Sequence, residues 1–248
     1  MDRLSLGIVL GTATAVLLAV VTPSRAENVL KADLHPSGMI EISRDGVHLA
    51  MIELNAHGAA WQHAPQKGAT AEVTDLPAES GKQVVGVLGI PNTDGGAIRY
   101  TQTVTVVPQG LRLAYDLTMT KTVRMNGLQF SINLDVPRYA GTEVVVYPAY
   151  GEPELVGLPK EEQENRFQLW SGQGARIEVA KGTEKAITLE LLADADTVIQ
   201  DMRRWDNPVY EIRFPAIMED PPREVSAGDT FHLQLTVTFA GPIRLGEP

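Results

Sequence analysis

The 248-residue chain contains no cysteine. Disulfide staples, thiolate metal centres and cysteine nucleophiles are therefore excluded, and stability must come from a packed core. Basic residues are scarce too. Twenty-one Lys and Arg stand against 31 Asp and Glu, a net charge of −10. No basic stripe interrupts that balance, which argues against nucleic acid or an anionic lipid surface as partner. Helical patterning is also missing. Beyond residue 27 no stretch of 12 residues repeats apolar positions with a 3.6 period. Lys160–Asn165 has no apolar face and reads as a solvated loop. There is no internal repeat and no linker-like cluster, so residues 27–248 read as one domain.

One apolar run is long enough to matter. Leu6–Val21 is uncharged, follows Met-Asp-Arg, and is broken by Pro23. It is shorter than the roughly 20 apolar residues of a bilayer span. Ser24-Arg25-Ala26 then places small residues at the positions a signal peptidase reads. The layout predicts a signal peptide over residues 1–26, export to the periplasm or the medium, and no membrane insertion after cleavage. A retained N-terminal anchor is the competing reading.

What remains alternates in twos, the signature of half-buried strands. In Leu111–Met119 the residues Leu111, Leu113, Tyr115, Leu117 and Met119 face one way, and Arg112, Ala114, Asp116 and Thr118 the other. Ala97–Val107 alternates likewise, and Pro108-Gln109-Gly110 joins the two as a hairpin. Leu128–Val136 and Phe231–Phe239 read as two further strands. Weaker candidates include Met39–Ser43, Val47–Leu54, Gln83–Leu88 and Val209–Phe214, with Arg44-Asp45-Gly46 as a hairpin turn between the first pair. Glu219–Arg223 reads as a rigid loop. About a dozen strands exceed an immunoglobulin sandwich. The expected fold class is all-β, a large two-sheet antiparallel sandwich, with a closed barrel as the alternative.

No motif fixes a chemistry. Five histidines are present, at 35, 48, 57, 63 and 232, and none has metal-ligand spacing on a predictable element. His57 and His63 flank Trp61 in a stretch that reads as a loop, where two readings stand open: convergence of the pair, or two exposed loop histidines. No G-x-S-x-G elbow occurs. Neither metal nor cofactor is expected. Trp61, Trp170 and Trp205 are the candidate aromatic plates for a ligand. Asp201–Asp206 combines two acids, two guanidinium groups and an indole, and reads as an internal brace or a ligand edge.

Three stretches carry a resemblance: Arg99–Val106 running into Leu111–Asp116, Gly127–Pro137, and Ile199–Trp205 leading to Val209–Phe214. Their order resembles the galactose-mutarotase-like supersandwich of aldose epimerases and of accessory domains in glycoside hydrolases and polysaccharide lyases. The resemblance implies a glycan-related role, with a ligand lying across a concave sheet over side chains that point away from the core. It brings no catalytic signature, because the Asn-His-Xaa-Tyr-Xaa-Asn-Leu-type stretch of the epimerases is absent. The expected ligand face is Arg112, Asn133 and His232, edged by Arg204 and Trp205. The function expected is a secreted, non-catalytic carbohydrate-associated module. A structural or protein-interaction sandwich of the envelope, and an enzyme related to sugar epimerases or lyases, are the rival readings.

Overall fold

Alternation becomes strand wherever it is strong. The computed structural model describes residues 29–76 and 80–246, so the leader lies outside the described residues. In chain order the strands are β1 (Leu30–Leu34), β2 (Ile40–Arg44), β3 (Val47–Gly58), β4 (His63–Pro65), β5 (Thr70–Asp75), β6 (Gly81–Gly89), β7 (Ala97–Val107) and β8 (Gly110–Met119). They continue with β9 (Val123–Asp135), β10 (Glu143–Tyr147), β11 (Glu154–Gly157), β12 (Gln168–Val179), β13 (Ile187–Asp201), β14 (Val209–Val225), β15 (Thr230–Phe239) and β16 (Ile243–Gly246). The β7–β8 hairpin and the Asp45-Gly46 turn form as expected. Both turn residues have positive φ, 51° and 77°, the geometry a two-residue hairpin requires.

Hydrogen bonding runs β16-β1-β2-β3-β9-β14-β13-β15-β8-β7-β6-β5. The path folds on itself at β13. Its first part, Ile187–Leu191, pairs with β15, and its last part, Val198–Asp201, pairs with β14. The two halves of the path thus become two layers whose apolar faces meet. Tyr115 of β8 packs on Phe130 of β9 with ring centroids 5.2 Å apart, and Phe130 stacks on Phe214 of β14 at 6.3 Å. The result is an all-β sandwich.

Three details differ from the sequence reading. The sheet is mixed, because β1 and β16 pair in parallel, Leu30 opposite Ile243. Glu219–Arg223 is part of β14, at a break in its register with β9 between Met218 and Arg223. On β15, Leu235, Val237 and Phe239 are buried, but Phe231 and Leu233 are only partly covered. The register is the expected one. The layers simply splay where β13 leaves β15.

The interior also holds a polar tie. The Gln66 amide accepts from the Leu54 N–H at 2.8 Å and donates to the Ser37 carbonyl and to Gln102, both at 2.9 Å. Gln102 donates to the Gly38 carbonyl at 2.8 Å. Gly38 has φ +88°, and a Cβ there would lie 2.0 Å from Gln102 Oε1. Only glycine fits that turn.

Candidate functional site

Residues paired across antiparallel strands share a face. Behind the core-facing Ile52, Phe130, Ile132, Ile212 and Phe214, the register lines up three outward rows across β3, β9 and β14. One is Glu53, Ser131, Arg213; the next is Met51, Asn133, Glu211; the third is Asn55, Gln129, Pro215. Gln200 of β13 extends the second row. An outward face is usually wet, yet seven of its polar side chains (Glu53, Asn55, Gln129, Ser131, Asn133, Glu211 and Arg213) are buried. Burying carboxylates, amides and a guanidinium is costly unless they bond one another.

They do bond one another. Ser131 Oγ donates to Glu211 Oε1 at 2.5 Å, and Arg213 forms an ion pair with the same carboxylate. Asn133 Nδ2 donates to Glu53 Oε1 at 3.0 Å. His63 Nε2 meets Asn55 Oδ1 at 2.8 Å. Gln129 Nε2 reaches His57 Nε2 at 3.3 Å, while His57 Nδ1 faces the Trp61 carbonyl at 3.4 Å. That pattern suits a neutral imidazole, protonated on Nδ1 and accepting on Nε2. On this face two buried atoms, Gln129 Oε1 and Arg213 Nε, have no protein partner.

Burial decides the charge states. Desolvation raises the Glu53 carboxyl to about 6, helped by the nearby Glu211 charge and opposed by Asn55 and Asn133. Desolvation lowers His57 to about 4, with His63 adding repulsion. His63 is lowered for the same first reason. The two imidazoles stack at 5.1 Å. Near neutrality this face therefore offers neutral rings and a carboxyl close to its titration point.

An aromatic side chain stands at the rim. Trp61 is 37% exposed and meets the His57 ring edge-on at 5.6 Å. Ala60 and Trp61 both have φ near +60°, a left-handed conformation costly for residues with a Cβ. The Trp61 N–H is held by Asn126 Oδ1 at 3.1 Å. Backbone strain of this kind persists only where the surroundings impose it.

No family model matches the chain, and no curated protein matches it in sequence. Solved structures do. A galactose mutarotase related enzyme from Lactobacillus acidophilus superposes with a TM-score of 0.51 at 10% identity, over 86% of this chain and 95% of that one. The fold is galactose mutarotase-like. A protein from Synechocystis sp. PCC 6803 matches with a TM-score of 0.47 at 9% identity, over 82% of this chain and 88% of its own. A candidate aldose 1-epimerase from Escherichia coli K12 matches with a TM-score of 0.48 at 9% identity, over 85% and 98%.

Within this galactose mutarotase-like sandwich the five residues expected to share a ligand face are separated. Asn133 lies on the buried polar face just described. Arg112 and His232 point outward from β8 and β15 in the other layer, so the whole core lies between them and Asn133. His232 pairs there with Asp116 at 2.6 Å, both side chains 70% exposed. Arg204 donates to the Glu164 carbonyl at 3.0 Å and stacks over Phe167. Trp205 meets Phe167 edge-on at 5.2 Å. Beside them Arg203 grips the buried Asp201 carboxylate and donates to the Pro159 and Lys160 carbonyls. The segment is a brace that pins residues 159–167, the first of its two expected roles.

Sequence alone does not single out Glu53, Glu211 and Arg213, because a strand presenting Glu or Arg outward ordinarily presents it to water. The signal available was their alternation: Glu53 with Asn55 and His57, and Glu211 with Arg213, place polar groups at every second position. His57 and His63 do converge, on a short β3–β4 hairpin rather than a loop. Among the described residues no group of three or more metal-ligating side chains forms.

Proposed function

We propose that this protein is an exported carbohydrate-binding sandwich whose ligand lies across the polar face of β3, β9 and β14. The observation that carries the reading is the concentration of amide, hydroxyl and paired ionic side chains on one outward face, with the partly exposed Trp61 ring at its rim. A sugar hydroxyl can donate or accept, and a sugar supplies several at fixed spacing. The Trp61 indole beside His57 adds the apolar plate on which a pyranose C–H face can rest. The neutral imidazoles and the closed Arg213–Glu211 pair favour an uncharged sugar over a uronate. Export rests on the sequence of residues 1–26.

The test is a glycan array followed by tryptophan fluorescence titration of each hit. Trp61→Ala and Gln129→Leu should weaken binding at least tenfold, and His232→Ala should leave it unchanged. Binding that survives both site variants, or that His232→Ala removes, refutes the reading.

A second reading is acid–base catalysis on the same sugar. It is favoured by one observation, the Glu53 carboxyl held at about 6 and linked through Asn133 and Asn55 to the network. A catalytic acid or base works best with its pKa near the working pH. Polarimetry on freshly dissolved α-anomers of neutral hexoses distinguishes the two. Accelerated mutarotation lost in Glu53→Gln supports catalysis, whereas binding with no acceleration supports a module.

A further inference from the structure

On the inner side of the same sheet the sandwich is not closed. β13 leaves β15 at Leu191, opposite Leu235, and joins β14 only at Val198, opposite Arg213. Between those points, Leu192–Thr197, it pairs with β12 alone or is unpaired. The layers part there. Phe231 and Leu233 occupy inward positions of β15 but lack the cover that Leu235, Val237 and Phe239 receive.

The gap is a cavity of about 160 Å³. Its deep walls are Leu54, Tyr115, Leu128, Phe130 and Phe214, all buried. Its mouth lies among the less covered Ala195, Pro215, Ala216 and His232. Tyr115 packs at a tilt on Phe130, and Phe130 stacks on Phe214, so one wall is a continuous aromatic surface. An apolar cavity of about 150 Å³ stays dry and accepts a benzene-sized guest. A side chain of this chain does not fill it, and a hydration cluster would find few polar partners there.

We propose that this corner cavity is a second ligand site, which takes an apolar group of about six carbon atoms presented as a ring or as the end of an alkyl chain. It adjoins the polar face, because Gln129 and Pro215 of the third polar row also line the cavity, but its remaining walls are core side chains of both layers. The inference does not depend on the sugar reading, because its lining and its size alone select the guest.

Benzene is the probe. Thermal unfolding of the full chain, followed by circular dichroism in sealed cells, should show a saturable rise in Tm with benzene. Mass action shifts the folding equilibrium about a hundredfold at a hundred times Kd. Leu233→Trp, which grows a half-covered wall residue into the cavity, should fold and abolish the rise while leaving any tryptophan-monitored sugar response in place. A wild-type Tm that benzene does not move, or a rise undiminished in Leu233→Trp, overturns the proposal. If Leu233→Trp does not fold, Phe231→Ala replaces it. That variant enlarges the cavity and should gain a naphthalene-dependent rise that the wild type lacks; no gain overturns the proposal.

Discussion

Glu53→Gln should change how stability depends on pH, with a sign that can be worked out in advance. Glu53 is 4% exposed, and its folded-state pKa is about 6 against an ordinary 4.5. Between those values the folded protein holds a proton that the unfolded chain has released. Stability therefore falls as pH rises from 4.5 to 6, by about 2 kcal/mol at 1.36 kcal/mol per pH unit. His57 works the other way. Its folded-state pKa is about 4 against 6.5, so the unfolded chain binds the proton first. Its contribution is present above 6.5 and is lost as pH falls towards 4, about 3 kcal/mol in all. In wild type the two slopes oppose each other between pH 4.5 and 6. Glutamine keeps the shape of Glu53 and an oxygen to accept from Asn133, but does not ionise. The variant should unmask the histidine slope and be more stable than wild type at pH 7 by up to about 2 kcal/mol. Urea unfolding at half-unit steps from pH 4 to 7.5, read as variant minus wild type, cancels the carboxylates common to both. A flat difference profile refutes the claim that Glu53 is destabilised by burial.

Three other outcomes follow from contacts. Phe130→Ala removes a 2% exposed ring wedged between Tyr115 and Phe214 and should cost about 3–5 kcal/mol in urea unfolding; a cost under 1 would mean the layers do not meet there. Gly38→Ala must place a Cβ against Gln102 at positive φ and should lower stability by at least about 2 kcal/mol, read as a drop in Tm. Asp201→Asn weakens the Arg203 clamp on Pro159 and Lys160; trypsin should then cut after Lys160 or Arg166 faster than in wild type while the rest of the chain resists, and unchanged cleavage would show that the brace does not hold the segment.

Much of the architecture was legible because period-two alternation is a direct image of a strand with one dry face. The faces of β7, β8, β9 and β15 could be read without ambiguity, since an odd number of misplaced residues would have turned every apolar side chain outward. What stayed hidden depends on distance in space. Nothing local marks Leu30 and Ile243 as parallel neighbours. Nothing local shows that β13 changes partners midway. The polar face suffers from the same blindness. Asn133 was correctly placed pointing away from the core, but sequence could not say that Glu53 and Glu211 arrive from strands on either side and bury it. Arg112 and His232 alternate outward just as Asn133 does, and a sandwich has two outsides. The short His57–His63 hairpin escaped because its left-handed Ala60 and Trp61 replace the glycine that usually announces such a turn.

The parallel contact of β1 with β16 imposes an order of events on folding. The first described strand can pair with β2 early, but its second neighbour is the last described strand, Leu30 lying opposite Ile243. Until then β1 is a free sheet edge, able to recruit the wrong partner, and closing so long a loop is entropically slow. For as long as that edge stays open, a newly made molecule carries an unpaired strand on which another chain can dock.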